Sequence, residues 1–156
     1  MRDNEIAPKA AILTSAQCWS LLSQTHTGRL AVNVNGRPDV FPVNYQLDGE
    51  SLRFRTGNGT KIDAINDDGR VAFEVDSVNQ KEGTAWSVVI KGDAEITSAD
   101  SHLLNAAERG LFPWQGVGKA HLVRIVPETV TGRSFTLDAS VTQHVSFDEA
   151  MRAGLE

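Results

Sequence analysis

Residues 30–56 read LAVNVNGRPDVFPVNYQLDGESLRFRT. Leu30, Val32 and Val34 alternate with Ala31 and Asn33, the period of two expected of a strand with one buried face. Asn35-Gly36 then suits a tight hairpin, because both central residues of a type I′ turn need positive φ. A second strand is predicted over about 40–47, interrupted by Pro42. Proline cannot donate to a ladder, so Pro42 marks a bulge, an edge or a place where something else approaches the backbone. Asp48-Gly49 turns the chain again, into a third strand over 51–56.

Working outward, the pattern continues. Upstream, Thr14-Ser15-Ala16-Gln17 forms a capping box for a short helix through Cys18, Trp19, Leu21 and Leu22. Downstream, 57–61 read as a loop, and Ile62, Ala64 and Ile65 as a short helix. Two more strands are expected, over 70–78 with Val71, Phe73 and Val75 on one face, and over 86–96 with Val88 and Ile90 inward. Ser98 is placed to cap a helix over 99–109, 120–130 form a last long strand, and Ser146 opens a terminal helix. About six strands in hairpin order, with small helices in the gaps, predict a mainly β single domain over 1–156: an antiparallel barrel or sandwich.

Composition narrows the partners. Fifteen Lys and Arg against 20 Asp and Glu give a net charge of -5 with no basic block, which argues against nucleic acid and anionic membranes. Cys18 is the one cysteine, so there is no intrachain disulfide and no cysteine-based metal site. His26, His102, His121 and His144 are scattered without metal-ligand spacing, so no metal is expected. No stretch approaches a membrane span and the N-terminal residues lack a signal-peptide pattern, so a cytoplasmic protein is expected.

The most informative segment chemically is Thr56-Gly57-Asn58-Gly59-Thr60-Lys61. Glycines allow close backbone approach, amides at a helix start favour an anion, and Thr60 and Lys61 add a hydroxyl and a charge. That suits a phosphate monoester; the same glycines also serve ordinary turns. The spacing is not that of a Walker loop. Phe41-Pro42-Val43-Asn44-Tyr45 offers backbone groups next to an unpaired ladder position, suited to a flat polar ring or simply to an edge strand. Trp86–Gly92 taken alone reads as structural; Trp114 either packs onto the domain or caps a ligand; Arg29 reads as a strand charge, and Arg55 as a strand charge or, adjoining Thr56, a site residue. No G-x-S-x-G elbow supports hydrolase chemistry.

These segments, in this order, resemble the pyridoxamine-5′-phosphate-oxidase-like, FMN-binding split-barrel superfamily, in its small actinobacterial and nitroimidazole-resistance-type branch. The resemblance rests on Gly28–Val32, Gly36-x-Pro38, Pro42–Tyr45, Phe54–Thr56, Thr60-Lys61, Val71–Asp76, Trp86–Val89 and Gly92, then on Val123-Arg124-Ile125-x-Pro127-Glu128 and Thr131-Gly132-Arg133. It implies a split β-barrel, and a homodimer with flavin sites at the subunit interface. Pro42, Val43 and Asn44 would then contact the flavin ring, and Thr56, Thr60 and Lys61 the phosphate and ribityl chain, with Arg55, which adjoins Thr56, also counted as cofactor-binding. Ser87, with Trp86 and Arg133 as weaker transfers, would meet the cofactor, often from the other subunit. The implied function is an FMN-dependent oxidoreductase acting on a small molecule, with no assigned catalytic residue. An F420-dependent reductase and a non-enzymatic flavin- or haem-binding protein are the alternatives. Arg55 stands where the nitroimidazole-resistance branch frequently has His. Gly132-Arg133-Ser134-Phe135 replaces the Arg-x-His of the pyridoxamine phosphate oxidases, which argues against that substrate.

Overall fold

The structure, a computed structural model, describes residues 9–98 and 121–136. The helices expected over 99–109 and from Ser146, the Trp114 loop, His102 and His144 lie outside them. Eight strands and two short helices follow one another as β1 (Lys9–Ile12), α1 (Ser15–Leu22), β2 (Thr27–Val34), β3 (Arg37–Asn44), β4 (Gln46–Leu47), β5 (Leu52–Thr56), α2 (Thr60–Asp67), β6 (Arg70–Asn79), β7 (Thr84–Ser98) and β8 (His121–Thr136). All pairings are antiparallel, in the order β3-β2-β6-β7-β8-β5-β4, with β1 added to β8. This is the split-barrel fold with its strands curled around one core.

The first hairpin forms as its residues dictate. Asn35 and Gly36 carry φ of 52° and 78°, and β2 pairs with β3 from Val34↔Arg37 to Thr27↔Asn44. The register runs unbroken through Pro42, opposite Arg29. Since β3 is the outermost strand of the path, Pro42 is an edge-strand proline and no bulge is needed.

The strand expected over 40–47 is in fact two strands. The break falls at Tyr45, which is buried and packs edge-on against Phe73, with ring centroids 5.4 Å apart and planes at 80°. Its hydroxyl donates to the Leu22 carbonyl at 2.6 Å and accepts from the Thr25 hydroxyl at 2.7 Å. Ring and hydroxyl together pin the end of α1 to the strand junction, and burial pushes the phenol pKa up. β1 is also additional to the expected strands; its KAAI has no alternation to read.

Side-chain alternation builds the core. Leu30 and Val32, Leu52 and Phe54, Val71, Phe73 and Val75, Val88 and Ile90, and Val123 and Ile125 all point inward and are buried. Each such side chain contributes about 1.5–3 kcal/mol. α1 opens with the expected capping box, Thr14 Oγ1 accepting from the Gln17 amide and Gln17 Oε1 from the Thr14 amide. It closes one end of the core with Cys18 and Leu22. Cys18 has no exposed surface, and burial raises its thiol pKa, which makes it unreactive.

β7 and β8 form the longest ladder, from Thr84↔Thr136 to Ser98↔His121. Its register shifts between Lys91, opposite Thr129, and Gly92, opposite Pro127. Pro127 has no amide to donate, and the extra residue, Glu128, forms a bulge there. Gly92 permits the close approach: a Cβ on it would stand 2.1 Å from the Val126 carbonyl oxygen. Because that atom belongs to backbone held in a ladder, Gly92→Ala should destabilise the fold by about 1–3 kcal/mol. Urea unfolding at the wild-type midpoint would contradict this spacing of the two strands.

Candidate functional site

β5 ends at Thr56 and α2 begins at Thr60, so only Gly57-Asn58-Gly59 joins them. Thr60 and Lys61, expected in the loop, are the first turn of the helix. Gly59 is the N-cap with φ of 152°, a conformation open to glycine, and supplies no side-chain cap. The first amides of α2 therefore face outward with the positive end of the helix dipole. Ile62, Ala64 and Ile65 are buried and hold the helix on the barrel. Space around Gly57 and Gly59 is open, with no atom within 4 Å of where a Cβ would stand.

Three further groups converge on this helix start. Lys61 Nζ lies 4.9 Å from the centroid of Phe41 on β3, a cation–π contact that draws the ammonium toward the strand of Pro42. Thr56 is 5% exposed, and its hydroxyl donates over 3.4 Å to the Gly57 carbonyl, a long bond readily exchanged for a better acceptor. His121 begins β8 opposite Thr56 and hydrogen-bonds through Nε2 to Asn58 Oδ1. The donor set (helix amides, ammonium, hydroxyls) fits a phosphate. Residue spacing gave no sign of His121, because the contact spans 63 positions of sequence and depends on the β5–β8 register.

On β3, Val43 is buried while Pro42 is exposed and Asn44 half-buried. Asn44 Oδ1 accepts from the Thr27 hydroxyl at 2.9 Å, which fixes the amide and leaves its nitrogen as a donor. Arg55 precedes Thr56 on β5 and so projects to the opposite face of the strand. The two do not share a side, although the sequence places them together.

Trp86, Ser87 and Arg133 lie elsewhere. Ser87 stands between Asp76 of β6 and Arg133 of β8 in adjacent registers, and all three project from the outer face of the sheet. Trp86 points the other way, into a groove with Leu13, Leu21 and Phe135. Along β8, Arg133 stands twelve positions after His121, the partner of Thr56. A cross-strand row leads from Pro42 through Arg29, Glu74 and Val89 to Thr131, two positions before Arg133, so β3 and the Ser87–Arg133 pair share the outer face.

The outer face between them carries a charge cluster. Arg29, opposite Pro42, pairs with Glu74 at 2.7 Å and with Asp76 at 3.0 Å. Burial and then the neighbouring Asp76 raise the Glu74 pKa, against the pull of Arg29. Val40 stands beside this cluster with 57% of its surface exposed.

Comparison with known proteins agrees with the fold. An uncharacterized Mycobacterium tuberculosis protein, Rv3129, is 37% identical over 89 residues, which is 57% of this chain and 79% of that protein. The FAD binding protein of Mycobacterium smegmatis is similar in structure at a TM-score of 0.65 and 35% identity, over 80% of this chain and 99% of that one. An FAD-binding protein of Mesorhizobium loti gives a TM-score of 0.73 at 26% identity, over 83% and 99%. Residues 14–134, from the cap of α1 into β8, match the sequence model of the pyridoxamine 5′-phosphate oxidase family. The chain belongs to that family.

Proposed function

We propose that this protein is a flavoprotein that holds FMN between two copies of the chain and uses it in a redox reaction on a small molecule. The observation that carries the reading is the helix start at Thr60-Lys61, uncapped by any side chain and joined by an open glycine loop to the buried Thr56 hydroxyl. Phosphate would lie against the amides of α2, with Lys61 neutralising it and Thr56 and Thr60 donating hydroxyls. Pro42, Val43 and Asn44 would follow the ring edge. Pro42 offers no N–H, so neighbouring backbone groups and the Asn44 amide nitrogen take up the ring's polar atoms. The FAD-binding relatives support a flavin in this fold.

The flavin supplies the hydride chemistry when bound. The chain's own task is to bind, orient and shield it, and no acid or base of the protein is required. The family resemblance implies a site completed by a second copy: one chain would supply the phosphate loop, its twin the Trp86, Ser87 and Arg133 end. A twin packed on the outer face would cover the exposed Val40 and the Arg29 cluster.

Two experiments test this. Lys61→Ala should weaken FMN binding by about 1–3 kcal/mol through the lost charge-assisted bond, while riboflavin binding stays unchanged. Unaltered FMN affinity in a fluorescence titration would remove Lys61 from the site. The shared site predicts complementation: when Lys61→Ala and Arg133→Ala chains are mixed and refolded together, half the sites in each mixed dimer regain both residues. Tight FMN binding should return to those sites, and no recovery in the mixture would place each site within one chain.

A further inference from the structure

We propose that His121 is a positioning residue for the phosphate loop, holding Asn58 so that the glycine turn keeps the start of α2 open to the ligand. The inference rests on the FMN reading above. Asn58 sits between two glycines in an exposed three-residue link, and glycine loses more freedom on ordering than any other residue. The helix cap adds no side-chain bond to the link. The Gly57 and Gly59 carbonyls accept from the Thr56 hydroxyl and the Asp63 amide, and the side chain at the centre of the link is tied by the bond from His121 Nε2 to Asn58 Oδ1.

His121 is well placed for this. Its backbone pairs with Thr56 on β5 and Ser98 on β7, so it is fixed between two strands. Its ring therefore bridges the β8 ladder to the tip of a loop that begins one residue after Thr56. Because Oδ1 can only accept, Nε2 carries the hydrogen and donates it. The bond leaves the Asn58 nitrogen as the amide branch that can donate elsewhere. His121 acts through Asn58 and touches no phosphate itself.

The test compares FMN with riboflavin, which lacks the phosphate, in wild type, His121→Ala, His121→Gln, Asn58→Ala and the double alanine variant. His121→Ala and Asn58→Ala should each weaken FMN binding about 5-fold, the scale of one neutral hydrogen bond, with riboflavin affinity unchanged. His121→Gln, whose amide nitrogen stands near the position of Nε2, should restore FMN binding. The double variant should be no weaker than either single one, since both remove the same bond. Equal losses for FMN and riboflavin would mean that the strand end has collapsed, and would overturn the positioning role. So would additive losses, failure of glutamine to rescue, or a His121→Ala variant that binds FMN as wild type does. Wild type binding FMN no tighter than riboflavin would overturn the phosphate reading itself, and His121's role with it.

Discussion

The ladder between β7 and β8 governs how the rest of the molecule is arranged. It extends from Thr84↔Thr136 to Ser98↔His121 and is bent once, where Gly92 meets Val126 and Pro127. One half of β8 receives β5 and brings the phosphate loop to its end. The other half receives β1 and carries Arg133 beside Ser87. Backbone hydrogen bonds fix strand spacing and register, so each group keeps its place in the sheet. The proposed completion of the cofactor site by a second copy rests on the family resemblance and is tested by complementation.

Local packing explains why the loop sits where it does. α2 is anchored by three buried apolar residues and its first turn is left polar and uncapped. Lys61 does not extend freely into solvent; it rests on Phe41, one residue from Pro42. Tyr45, two residues beyond Val43, ends β3 by burying its ring and donating to the end of α1. The strand proposed to follow the flavin ring is thus clamped at one end by Tyr45 and touched at the other by the proposed phosphate ligand. Preorganisation of this kind lowers the entropy that binding must otherwise offset.

Much of this was legible in the sequence, and the reasons differ by element. Asn35-Gly36 announces its turn because few other residues tolerate the required φ, and the alternation in 30–34 and 71–75 follows from burying one face. The split at Tyr45 was hidden, since an aromatic in a strand pattern gives no sign that its hydroxyl will seek the Leu22 carbonyl across the fold. β1 has too few residues for a period. Thr60 and Lys61 looked like loop because Gly59 is an N-cap through its backbone alone. Only the register showed that Arg55 faces away from Thr56 and that Pro42 shares the outer face with Ser87 and Arg133. His121 and Asn58 were invisible as a pair for the same reason: long-range side-chain contacts are set by tertiary register.

The central claim is that the chain binds a flavin. The most direct measurement is the visible absorption spectrum of the protein after incubation with FMN and gel filtration to remove the excess. The account predicts oxidised-flavin bands that co-elute with the protein at one flavin per chain. Colourless protein after loading at saturating FMN would contradict it, and would leave the split barrel standing without the function proposed for it.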